Sequence, residues 1–181
     1  MWLGLSLRRR FRVAAGWRDR GRCCMSESNE VPFVHPEFVI PSPPRGDGYL
    51  LTPLLLEHNE GDLEAWSSSV QHIHTTAGFE GHPWPNEPMT LDRNREDLKG
   101  HVDDFARRQG FTYSVQSEPG GAVLGCVYIY PSQKPGVDAH VRSWVRASAA
   151  ELDPLVYRTV SEWIVNDWPF ESVDYAPRPG A

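Results

Sequence analysis

The sequence predicts an α+β fold, a mixed sheet of about five strands with three helices, and three observations carry that prediction. Ala122 to Tyr175 runs strand, tight turn, strand, helix, strand, while the stretch before it holds a first strand and two segments of helical periodicity. In 181 residues, 40% apolar and 11% aromatic content suffices for one domain with a core. No apolar run approaches the roughly 20 residues of a membrane helix, since Thr52 and Pro53 break even Leu50 to Leu56.

In chain order, Val31 to Gly48 comes first, with Pro32, Pro36, Pro41, Pro43 and Pro44. So many prolines favour an extended strap, pinned to the body by Phe33, Phe38, Val39 and Ile40. Tyr49 to Leu54 reads as the first strand. His58 to Asp62 supplies turn and cap chemistry, and Leu63, Trp66, Val70 and Ile73 then mark one face of a helix. Gly78 to Met89 is a Pro- and Gly-rich loop. From Thr90 to Gln109 a second helix presents Leu91, Leu98, Val102 and Phe105 inward, with Asp103/Arg107 and Asp104/Arg108 paired outward and Gly110 as the stop.

Phe111 to Gln116 alternates as a half-buried strand, and Glu118-Pro119-Gly120-Gly121 turns it into Val123 to Tyr130, apolar on both faces and therefore central. Asp138 to Arg146 continues the sheet, with Ala139, Val141, Ser143 and Val145 on one face and His140, Arg142 and Trp144 on the other. Ser148-x-x-Glu151 is a capping box and Asp153-Pro154 an alternative helix start. The buried face of that helix would be Leu152, Leu155 or Val156, Thr159 or Val160, and Trp163. Phe170 to Tyr175 is the last strand.

Charge narrows the partners. The first 24 residues hold seven Arg and one Asp, about +6, which leaves the remainder at about −12. That acidic body argues against a nucleic-acid footprint. Residues 1–24 read as an Arg-rich extension, either non-native sequence ahead of a start at Met25 or a targeting peptide. Residues 25–47 form the strap, 48–176 the domain and 177–181 a tail. Cys23 and Cys24 lie in the extension and Cys126 in an apolar strand, with neither a disulfide framework nor a CxxC pair, which fits a reducing cytoplasm.

The element order, with LLTPL in the first strand and Leu124-Gly125-Cys126-Val127-Tyr128-Ile129 in the third, resembles the acyl-CoA N-acyltransferase (GNAT) superfamily over Tyr49 to Tyr175. That resemblance implies a fourth strand splaying from the fifth, the opening between them admitting the pantetheine arm of acetyl-CoA. The pyrophosphate would rest on amides at the start of the following helix. The implied cofactor residues are Trp144, Val145, Arg146, Ala147, Ser148, Ala149 and Ala150. Against the pattern Gln or Arg, two residues, Gly, one residue, Gly or Ala, this chain keeps Arg146 but carries Ala149 and Glu151 at the two small-residue positions. It also lacks the family's usual C-terminal helix and strands, and with them the tyrosine acid.

Acyl transfer to a small-molecule or peptide amine needs a base and an acid. Asp138 and His140, two apart on one strand face, are the candidate bases, with Tyr128 (or Tyr130) as acid; a turn role for Asp138 and a cross-sheet pairing for His140 are the competing readings. His82 and Trp84 lie in the loop that borders the acceptor site in the family. His72 and His74, two apart on a helix, point about 200° apart and cannot clamp one metal ion. Two function classes follow: an N-acetyltransferase, or a catalytically inactive GNAT-fold module for binding or dimerisation through its open sheet edge, as a homodimer for example.

Overall fold

The alternating segments come together as one sheet in the computed structural model, which describes residues 32–86, 88–118 and 121–180. Its strands are β1 (Arg45–Gly46), β2 (Tyr49–Pro53), β3 (Phe111–Ser117), β4 (Val123–Pro131), β5 (Ala139–Val145) and β6 (Val173–Tyr175), in that spatial order. Neighbours are antiparallel except β5 and β6, which are parallel. The extra strand beyond the five expected is β1, at the end of the strap. β4 is central and paired on both sides, as its two apolar faces require.

Helices cover both faces. On one lies α4 (Asp153–Asp167), whose Val156, Val160, Trp163 and Ile164 pack on Tyr49, Tyr113, Val127, Val141 and Val145. On the other lie α1 (Asn59–Ser67), α2 (Val70–Thr75) and α3 (Leu91–Ala106), with Trp66, Ile73 and Leu98 against Cys126 and Trp144. Burying side chains of this size is worth about 1.5–3 kcal/mol each, so the two apolar layers fix the sheet between them.

Several boundaries differ from expectation. The single first helix is two, broken at Ser68 and Ser69, where the Ser68 hydroxyl donates to the Ala65 carbonyl at 3.1 Å and competes with the helical ladder. Leu91 is 44% exposed rather than inward, and Asn94 takes the buried position. Asn94 earns burial by accepting from Trp66 Nε1 (3.0 Å) and donating to Asn59 Oδ1 (2.9 Å) and Asp62 Oδ2 (3.0 Å). The outward ion pairs of α3 are Arg93–Asp97, Lys99–Asp103 and Arg107–Asp104 rather than Asp103/Arg107 and Asp104/Arg108.

Arg108, not Gly110, turns the chain out of α3, with φ of 57°. Its guanidinium donates to the strap carbonyls of His35 (3.1 Å) and Phe38 (2.8 Å). Phe33 stacks on Phe170 with centroids 4.8 Å apart and Phe38 meets Trp168, so the strap is pinned; Val39, 82% exposed, takes no part. The Ser148–Glu151 capping box does not form: residues Ala147–Leu152 make a 3-10 turn and α4 starts at Asp153 with Pro154 in its first turn. Leu155 faces outward and Val156 inward.

α3 is tied to the sheet through His101. The Tyr130 hydroxyl lies 2.7 Å from His101 Nδ1 and donates toward Asp104 Oδ2 at 3.3 Å, and Thr112 Oγ1 is 3.2 Å from the same ring nitrogen. Burial lowers the His101 pKa from 6.5 to about 4. As pH falls, the unfolded chain protonates this residue first, so its contribution to stability is whole above about pH 6.5 and drains between 6.5 and 4, by up to about 3 kcal/mol. Asp62, whose pKa burial raises, pulls oppositely in acid. Urea titrations of wild type and His101→Gln across that window isolate the histidine: the wild-type curve falls more steeply, and parallel curves would refute the assignment.

Candidate functional site

β5 outruns its parallel neighbour. It pairs with β6 at Ala139↔Val173, His140↔Asp174 and Val141↔Tyr175, and then Arg142 to Val145 continue past the end of β6. All three residues of β6 pair with β5, so the two strands do not splay apart as the resemblance implied; β6 simply ends first. Backbone direction alternates along a strand, and Ala139 N–H donates across to Ser172 O, so Ser143 and Val145, of the same parity and both fully buried, turn their backbone groups toward the side where β6 has ended. β5 leads straight into Arg146 and the 3-10 turn, which is kinked at Ala149.

Arg146 and the amide after it both have intramolecular partners. The Arg146 guanidinium forms a two-pronged pair with Glu64 of α1 at 2.7 and 2.5 Å, which holds the Glu64 carboxyl below its usual range. Ala147 N–H donates to Ser69 Oγ at 3.0 Å. Ala147 and Ser148 are exposed, Ala149 is buried and Ala150 half-buried. The side chains of Trp144 and Val145 belong to the two opposite cores. Val145 therefore turns only its backbone toward the side where β6 has ended, and it is fully buried.

The three catalytic candidates do not converge. Asp138 precedes β5, and its Oδ2 accepts from the amides of Glu171 (2.8 Å) and Ser172 (2.9 Å), which fastens the turn into β6. It lines a shallow apolar depression of about 310 Å³ with Phe33, Phe38 and Phe170, at the end of β5 away from Arg146. His140 and Tyr128 share the α1–α3 face. His140 Nε2 accepts from Arg142 Nε at 3.2 Å and lies 3.9 Å from Asp174 Oδ2. Burial, then Arg142, lowers its pKa, so the ring is neutral at pH 7 and able to take a proton. The Tyr128 hydroxyl accepts from Trp144 Nε1 at 3.1 Å, and burial pushes its pKa well up, so it stays protonated. In the 78–89 loop, Trp84 packs on Trp66, Phe79 and Trp144, each at 5.9 Å, and His82 Nδ1 accepts from Trp84 N–H.

The residue that sequence reasoning missed at the opening is Arg178. Set aside in the tail, it is 6% exposed, and its guanidinium lies beside the unpaired part of β5. A lone arginine between two prolines belongs to no periodic pattern and gives no sign of burial. Glu64 and Ser69 were missed for a related reason: their roles arise from contacts across 82 and 78 residues of chain.

No protein-family model matches the sequence, and no curated protein matches it. Solved structures do. A ribosomal-protein-S5-alanine acetyltransferase from Vibrio fischeri matches at TM-score 0.52 and 12% identity, over 68% of this chain and 67% of its own. A GCN5-related N-acetyltransferase from Brucella melitensis matches at TM-score 0.51 and 15% identity, over 70% and 56% respectively. The microcin C7 self-immunity acetyltransferase MccE, in complex with acetyl-CoA and AMP, matches at TM-score 0.51 and 14% identity, over 66% and 62%. At such identities the likeness is one of fold, and by its sheet order, its two helical layers and these matches this chain has a GNAT-like fold.

Proposed function

We propose that the protein is an N-acyltransferase, moving an acyl group from acyl-CoA to an amine on a small molecule or peptide. The observation that supports this best is the run of β5 past the end of β6, from Arg142 to Val145, which leads into Arg146. A thioester arm laid along Val145 would find unpaired strand amides as hydrogen-bond partners for its carbonyls, and Arg146 with the exposed Ala147–Ser148 backbone would face the phosphates. His140, neutral at pH 7, serves as the base for the acceptor amine and Tyr128 as the proton donor. Asp138 acts by positioning, since its carboxylate holds the chain entering β6.

A second reading, an inactive GNAT-fold module, is favoured by the Glu64 carboxylate on Arg146 and the Ser69 hydroxyl on the Ala147 amide. The pair is bidentate, with the Arg146 side chain 18% exposed and Glu64 59%, so Glu64 competes with a pyrophosphate for the same guanidinium. Calorimetric titration of the full chain with acetyl-CoA decides between the readings. Arg146→Ala is expected to weaken binding by about tenfold, the scale of one charge-assisted contact. Glu64→Gln, which frees Arg146, is expected to tighten it by a few-fold. No heat for any of the three proteins at millimolar acetyl-CoA would favour the inactive module.

A further inference from the structure

We propose that Arg178 closes the opening between β5 and β6 from within the chain, so that an acyl-CoA and the Arg178 side chain compete for one place. This inference rests on the acyltransferase reading above. The contacts define the place. Arg178 Nη2 donates to Ser143 O at 2.8 Å and to Ser143 Oγ at 3.2 Å, Nη1 to Ala77 O at 3.0 Å and Ala176 O at 2.8 Å, and Nε to Asp153 Oδ2 at 2.6 Å.

These five contacts match the five N–H donors of a guanidinium, and the Tyr157 and Tyr175 rings flank it with centroids 5.8 Å away. The partners come from both sides of the sheet: Asp153 starts α4 on one face, and Ala77 follows α2 on the other. The guanidinium therefore sits through the gap, and it caps the strand carbonyl that follows the last β5–β6 pair. Ser143 O is thereby taken from any arm that would lie along β5. An arginine is suited to this work because it keeps its charge when buried and its planar fork meets several carbonyls at once.

Binding of acyl-CoA then requires Arg178 to leave, and the energy of its contacts is subtracted from the affinity. The test is a titration of wild type and Arg178→Ala with acetyl-CoA, repeated on the variant with millimolar methylguanidinium. The expected result is at least tenfold tighter binding by Arg178→Ala, returned toward the wild-type value by methylguanidinium. Equal affinities for the two proteins would overturn the competition and leave the acyltransferase reading standing. No binding by either at millimolar acetyl-CoA would overturn that reading and this inference with it.

Should Arg178→Ala fold poorly, the wild-type protein answers by itself. The Arg178 Nε–H resonance, ion-paired to Asp153, is expected to move or vanish in a nitrogen-15 spectrum as acetyl-CoA is added. Bound acetyl-CoA with that resonance unmoved would refute the competition.

Discussion

Arg178→Ala is expected to lower the stability of the folded protein by roughly 3–5 kcal/mol, the cost of removing one partner from a buried ion pair. The side chains of Arg178 and Asp153 are 2% and 15% exposed, so water cannot replace the lost donor at little cost. Asp153 Oδ1 is buried and has no hydrogen-bond partner, so its charge is met through Oδ2 and Arg178. Its place in the first turn of α4 supplies some compensation from the helix dipole, about 1 kcal/mol at most. Ser143 O loses its donor as well, and buried carbonyls left unpaired add to the deficit.

For a chain of this length the loss corresponds to a fall in Tm of about 10 °C, measurable by calorimetry or circular dichroism. Adding Asp153→Asn to the variant is expected to recover about 1–2 kcal/mol, because a buried amide costs less than a buried unpaired carboxylate. A deficit under about 1 kcal/mol for Arg178→Ala would mean that the pair is neutral to folding, and that the slot can open without penalty.

The parts of this fold that were legible in the sequence are those where one periodicity dictates one face. Alternation locates β3 and β5 and a run apolar on both faces locates β4, and the division of β5 into Ala139, Val141, Ser143 and Val145 against His140, Arg142 and Trp144 matches the two layers of the structure. β3 is not half-buried as its alternation predicts, since Thr112 and Ser114 are buried beneath the second layer as fully as Phe111, Tyr113 and Val115. Where a side chain's partner is remote in sequence, local pattern fails. Apolarity alone places Leu91 inward, yet Asn94 holds the buried place through Trp66, Asn59 and Asp62, about 30 residues away. The split between α1 and α2 turns on Ser68, whose hydroxyl donates to the Ala65 carbonyl, and Ser69, whose hydroxyl accepts from the remote Ala147 amide.

The family resemblance implies a splay between β5 and β6, whereas every residue of β6 pairs with β5, and Arg178, which no local pattern marks, fills the place beside Ser143. Two prolines and a glycine around Arg178 read as a tail, because composition reports what a segment cannot form and is silent on what it docks against. The bounds of β6 were also too generous at Phe170, which instead stacks on Phe33 beneath the strap.

Gly125→Ala is expected to cost at least about 3 kcal/mol, at or beyond the upper end of ordinary overpacking, because the atoms in its way are backbone. A Cβ on Gly125 would lie 2.0 Å from Trp144 O and 2.9 Å from both Trp144 C and Val145 Cα. No rotamer relieves those contacts; β5 must move away from β4, to which it is paired over seven residues. β4 cannot yield on its other side either, since β3 is bonded there and the register shifts between Val115 and Gln116, opposite Gly125 and Val123. Glycine in a strand marks such a close backbone approach beside a bulge.

The displaced segment, Trp144 to Val145, is also the end of β5 that runs past β6, so the strain falls at the proposed acyl-CoA site. Gly100→Ala is the matched control. Gly100 is exposed in the middle of α3 with no atom near a would-be Cβ, so there the same change is expected to stabilise by about 0.5–1 kcal/mol. Denaturant titration of the two variants beside wild type reads both signs in one experiment. A Gly125→Ala protein as stable as wild type would mean that β4 and β5 lie farther apart at this point than the contacts above require.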